Sequence, residues 1–242
     1  MSIKGQSIEV GGIRVEIVRK DIKNLHVGVY PPNGRVRVAA PVRLTDEAVR
    51  LAVVTRLGWI RRHQKGFRQQ QRQSPREIVS GESHYVFGRR YRLEVVETTG
   101  QCGVRLRSNR KLELRVRTGF SRDQRERVLS RWYRELLRER LPGLISSWEQ
   151  RVGVRVQNWG IRKMKTRWGT CNQRARRVWF NLELAKNPEV CLEFIVVHEL
   201  VHILERHHND MFRSHMDRLF PQWRRIRQEL NRAPLGNENW DY

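Results

Sequence analysis

Val190-Cys191-Leu192-Glu193-Phe194-Ile195-Val196-Val197 runs without Gly or Pro into His198-Glu199-Leu200-Val201-His202-Ile203-Leu204, and then into Glu205-Arg206-His207-His208. An apolar run of this length reads as a buried helix. Residues four apart on a helix differ by about 40° in azimuth and about 6 Å in rise, so His198 and His202 share a face and can grip one cation. Glu199 falls on the adjacent side. There its carboxylate can take a proton from a water activated by the metal and later pass it to a leaving amine. Burying two imidazoles and a carboxylate without partners costs several kcal/mol, so the segment calls for a ligand. The pattern fits a zinc peptidase, with Glu199 as general acid/base.

A catalytic zinc site takes three protein ligands and keeps one position open. His208 lies six residues beyond His202, so on a continued helix it would point about 240° away. It can join the pair only if the helix stops near Arg206 and the chain turns back. Asn209 and Asp210 supply that punctuation, as N-caps for a further helix from about Met211 to Asn231. His207, Glu205 and Glu229 compete for the third position on sequence grounds alone.

These residues resemble the YgjP-like metallopeptidases, relatives of the SprT and WLM zinc proteases. The family pattern is a Trp-Gly-Ser-Cys segment, a short strand, HExxH, a histidine six residues on and a Phe four after that. In this chain it reads Trp168-Gly169-Thr170-Cys171, then Val178-Trp179-Phe180-Asn181-Leu182, then His198 to His202, His208 and Phe212. Thr170 keeps the hydroxyl of the usual Ser, and Arg213 follows Phe212 where Trp is common. The stretches Gly34 to Pro41, Gly58-Trp59-Ile60 and Gly88 to Leu93 resemble further family segments. The resemblance implies zinc held by His198, His202 and His208, with Glu199 catalytic.

The 242 residues can bury a substantial core. Lys and Arg number 49 against 25 Asp and Glu, a net charge of +24, which attracts polyanions and makes nucleic acid a candidate partner beside a protein or peptide substrate. Neither a signal-like apolar segment at Met1 to Gln6 nor a membrane-length run is present, so a cytoplasmic protein without a membrane partner is expected. Cys102, Cys171 and Cys191 lack CxxC spacing and do not form a disulfide framework.

The expected fold is α+β: an N-terminal β-rich module with one helix (1–120), a zincin-like module with HExxH on the active-site helix (121–231), and a tail (232–242). Strands are expected at 8–18, broken at Gly11-Gly12, and at 25–30, 35–40, 84–97, 103–107 and 111–117. A helix begins at Thr45. If it continues, Arg61, Lys65, Arg68, Arg72 and Arg76 form a cationic stripe. A second helix runs from Ser121 to about Trp148 with a kink near Pro142, and Val154 to Lys165 reads as a strand. No internal repeat stands out. The strand Arg177 to Leu182 is expected to offer an edge for substrate through Val178, Trp179, Phe180 and Asn181. Arg167, His207 and His215 are candidate oxyanion donors. The alternative reading is a basic nucleic-acid-binding or adaptor protein with a structural zinc site, which would need four protein ligands and no Glu199 chemistry.

Overall fold

In the computed structural model, residues 6–30, 34–69, 76–164 and 167–232 are described. The chain divides into two compact units at residues 73/74. The sequence pattern places a boundary at 120/121 instead. The difference arises because the sheet spanning residues 83–116 buries Val86, Leu93, Leu112, Leu114 and Val116 in the same core as the later helices.

The first unit carries β1 (Gln6–Val10), β2 (Ile13–Lys20), β3 (His26–Tyr30) and β4 (Arg35–Pro41), followed by α1 (Asp46–Val54) and α2 (Leu57–Gln69). Val15, Ile17, Val36 and Val38 alternate inward and meet Val49, Val53 and Ile60 in its core. The helix predicted from Thr45 therefore breaks into two. The break precedes the expected cationic stripe: Arg61, Lys65 and Arg68 all lie on α2, whereas Arg76 lies beyond it and Arg72 is outside the described residues.

The second unit opens with β5 (Ser83–Val86), β6 (Arg89–Glu97), β7 (Gly103–Arg107) and β8 (Lys111–Val116), followed by α3 (Arg122–Val152). Its sheet order β5-β6-β8-β7 repeats the order β1-β2-β4-β3 of the first. In both, the central pair is parallel and the outer pairs antiparallel. The opening hairpins share a two-residue turn with both φ positive, Gly11-Gly12 at 58° and 75° and Phe87-Gly88 at 45° and 78°, the turn whose twist matches paired strands. Each sheet leads into a helix with a hydroxyl N-cap, Thr45 bonding the Ala48 N–H and Ser121 bonding that of Gln124. The chain thus contains a structural duplication that is invisible as a sequence repeat, because residue types recur at these positions more than identities do.

Helix α3 runs unbroken through Pro142, closed at its start by a capping box between Ser121 and Gln124 and at its end by Gly153 in the left-handed region. Then come β9 (Asn158–Arg162), β10 (Gly169–Asn172), β11 (Arg177–Asn181), a 3₁₀ turn Leu182–Lys186, α4 (Glu189–Leu204), α5 (Asp210–Leu219) and α6 (Trp223–Arg232). The single late helix expected from Met211 to Asn231 is broken at Phe220-Pro221, since a residue before proline is driven out of helical geometry. Buried α4 packs against α3, where the Trp148 indole donates to Glu193 at 3.1 Å.

The Phe87-Gly88 turn grips the approach to α4. Phe87 and Gly88 donate backbone N–H groups to Ala185 and Lys186 at 2.8 and 3.2 Å, and a Cβ on Gly88 would stand 2.8 Å from Pro188. We expect Gly88→Ala to lower unfolding stability by about 2 kcal/mol or more, from the left-handed backbone cost plus this clash. Gly119 has a similar φ of 77°, but a Cβ there would meet nothing within 4 Å, so Gly119→Ala should lose only about 1 kcal/mol. Urea melts giving equal losses would show that the Pro188 contact contributes nothing.

Candidate active site

Helix α4 carries both His198 and His202, as the four-residue spacing requires. The helix ends at Leu204, and the Glu205 N–H caps it by bonding the Val201 carbonyl. The chain then reverses, and Asn209 starts α5 by accepting the Phe212 N–H at 3.0 Å. This reversal brings His208 back over the pair. Its Nε2 lies 3.1 Å from that of His198 and 3.0 Å from that of His202.

Phe212 forms the floor. It is 1 % exposed, and its ring centroid lies 5.0, 4.7 and 4.7 Å from those of His198, His202 and His208. The His202 Nδ1 faces the Glu205 carbonyl at 3.1 Å, which fixes the tautomer that leaves Nε2 as a lone-pair donor. Burial pushes the His198 imidazolium pKa down to about 3, with His202, His208 and Arg227 adding to the effect. Burial likewise lowers His202 and His208. Three neutral imidazoles turn their Nε2 atoms to one point, where each can offer a lone pair to a cation. The donor set therefore fits a divalent transition metal. Among the described residues these three form the one metal-capable cluster.

The competing ligands are elsewhere. Glu229 pairs with Arg225 at 2.7 Å on α6, and the Glu205 carboxylate accepts the His207 N–H at 3.2 Å.

Glu199 is 4 % exposed, and its Oε2 has no hydrogen-bond partner. Burial pushes its carboxyl up to about 8, opposed by the Arg167 guanidinium. The niche beside it is made by Gly169, where a Cβ would stand 2.5 Å from Glu199 Oε1 and 2.8 Å from its Cγ. This gives the Trp168-Gly169-Thr170-Cys171 turn a role that its sequence does not reveal. Its glycine leaves room for the carboxylate. Cys171 lines the same cleft, and burial, aided by the Glu199 charge, pushes its thiol up to about 12, so it stays protonated.

The expected substrate edge at β11 is not one. β11 is the central strand, pairing antiparallel with β10 and parallel with β9. Val178, Phe180 and Asn181 are fully buried. Trp179 packs on Gly160, with Arg162 stacked 3.7 Å from its ring. Asn181 acts as a clamp: its amide donates to the Met164 and Arg167 carbonyls at 2.7 and 2.8 Å, and its oxygen accepts from the Met164 and Glu183 N–H groups. Strand compactness cannot tell a central position from an edge. β10 and β9 are the edge strands of this sheet, and of the two it is β10 whose residues Gly169 to Asn172 line a cleft of about 1030 Å³ together with His198, Glu199, His202 and His208. Of the three candidate oxyanion donors, Arg167 lines this cleft; His207 and His215 are not among its walls.

A buried carboxyl beside three convergent imidazoles defines the class of metal-dependent hydrolytic sites. The YgjP-like metallopeptidase domain model matches residues 24–233, and the chain belongs to that family of peptidases. No curated protein sequence matches it. Among solved structures it is similar to the metallopeptidase zymogen abylysin of Pyrococcus abyssi, with a TM-score of 0.37 and 16% identity over 40% of this chain and 98% of that one. It is also similar to the zymogen jannalysin of Methanocaldococcus jannaschii, with a TM-score of 0.34 and 18% identity over 37% of this chain and 91% of that one.

If the three imidazoles are the ligand set, His208→Ala should strip most of about one equivalent of bound metal, whereas Glu229→Gln keeps it. Metal analysis after dialysis decides this. Loss of metal in the Glu229 variant alone would overturn the assignment.

Proposed function

We propose that the protein is a zinc peptidase cleaving peptide bonds within polypeptides, with His198, His202 and His208 as ligands and Glu199 as general acid/base. The observation that carries this reading is the buried, partnerless Glu199 oxygen beside three convergent imidazoles in an open cleft. Zinc, when bound, supplies a Lewis acid that makes water more acidic and polarises the scissile carbonyl. Glu199 holds the proton taken from the attacking water and delivers it to the leaving nitrogen. Gly169 and the helix fix where that carboxylate stands, and burial keeps it out of competition with bulk water. The three ligands among the described residues are one short of the four that a structural zinc site takes, which speaks against the adaptor reading.

An extended substrate has a place to lie. β10 lacks a second partner strand and lines the cleft, so a peptide can add to it by backbone hydrogen bonds. Arg167, held near Glu199 through the Asn181 bond to its carbonyl, is the oxyanion donor best placed in the cleft wall. No helix among the described residues is long and apolar enough to cross a membrane.

The test is Glu199→Gln. The amide keeps the shape and the metal but cannot accept a proton, so cleavage should fall about 10²–10⁴-fold at unchanged zinc content. Cleavage retained by protein freed of contaminating protease would sink the mechanism. Gly169→Ala should likewise keep zinc while cutting turnover, since the new methyl displaces the Glu199 carboxylate.

A further inference from the structure

The walls of the cleft carry an unusual charge arrangement. Arg167 and Arg174 flank β10, Arg206 follows α4, Arg213 lies on α5 and Arg227 on α6, while Glu199 is the sole acidic residue among the described ones lining the space. Arg213 is engaged, by Asp210 at 2.5 Å and the His208 carbonyl at 3.2 Å. For Arg167, Arg174, Arg206 and Arg227, no carboxylate lies within ion-pair distance and no guanidinium hydrogen bond is made among the described residues. The charge reaches the reacting groups from both walls: Arg167 acts on Glu199, and Arg227 acts on His198 and His208.

Some arginines elsewhere pair with carboxylates, as Arg107 does with Glu113, Arg140 with Glu189 and Arg224 with Asp217; what sets these four apart is that they line one cleft. Four unpaired guanidiniums around one concavity repel each other, and low-dielectric walls concentrate their field. Their planar forks match carboxylates in bidentate geometry. Base stacking finds little support here, because Phe194, Phe212 and Trp223 are buried in the core and Trp168 alone is a partly exposed aromatic among the described residues lining the cleft. Resting on the peptidase reading above, we propose that the cleft selects polypeptides with Asp or Glu on both sides of the scissile bond, read by Arg167, Arg174, Arg206 and Arg227.

The test uses full-length zinc-loaded protein and three quenched fluorescent peptides of one scaffold, blocked at both ends, whose flanking residues are Glu, Gln or Lys. The Glu peptide should exceed the Gln peptide in kcat/KM by about tenfold, the scale of one charge-assisted hydrogen bond, mostly through KM and less so as salt rises. The triple variant Arg174→Glu, Arg206→Glu, Arg227→Glu should reverse the ranking in favour of the Lys peptide. Its control, Arg127→Glu, Arg131→Glu, Arg138→Glu on α3, makes the same change in net charge and should keep the wild-type ranking. Equal cleavage of all three peptides, or equal effects of the two triple variants, would overturn the proposal.

A binding arm separates this outcome from failure of the peptidase reading. Anisotropy with Glu199→Gln protein should show the Glu peptide binding about tenfold tighter than the Gln peptide even if no peptide is cleaved. A single-stranded oligonucleotide that displaces the Glu peptide at lower concentration than unlabelled Glu peptide does would assign the cleft to nucleic acid and overturn the proposal.

Discussion

The enclosure of the Glu199 carboxyl is the constraint around which the second unit is organised. A carboxylate at 4 % exposure with one oxygen unpartnered is expensive to keep out of water. The surrounding chain holds it there by geometry. Helix α4 sets its direction, Gly169 vacates the volume it occupies, and β10 is kept in register by β11, whose Asn181 in turn pins the segment leading to Trp168. Gln173, at the β10–β11 turn, ties that hairpin to the last turn of α4 by donating to the Ile203 carbonyl at 3.1 Å. Such a group is retained where its reactivity compensates for the destabilisation it causes.

The imidazole cluster depends on a different kind of support. His198 and His202 are fixed by helical phase, but His208 is fixed by where a helix stops. The reversal works because the Glu205 N–H closes α4 and Asn209 opens α5, leaving a short connection with His208 inside it. Phe212, one turn into α5, then fills the space beneath all three rings.

The sequence reveals those parts of the site whose geometry is local. The spacing of His198, Glu199 and His202 is a property of any helix, and the Asn209 cap marks the turn that recruits His208. The fold is legible to the same depth: the strands at Ile13, Arg35 and Lys111 show as alternation, and the capped starts of α1 and α3 show as hydroxyl residues before helical patterns. Partnership between distant segments does not show. Val178 to Asn181 look the same whether one neighbour or two lie alongside, so the centre of the small sheet passes for an edge. The sheet of residues 83–116 carries nothing in its residues to say that α3 covers it and that the division falls before it. Gly169 reads as a turn glycine until the carboxylate beside it is located.

The separation along the chain between the two halves of the site has a consequence for how the molecule comes to be active. His198, His202 and His208 belong to one short stretch, so α4 and the turn after it are enough to bring the three imidazoles together. The niche that confines Glu199 needs more of the chain, because Gly169 meets it from an earlier strand and the Gln173–Ile203 bond that ties the hairpin to α4 closes a longer loop than the His198–His208 approach does. The imidazole cluster is thus the more local half of the site, and the enclosure of Glu199 depends on a larger part of the second unit.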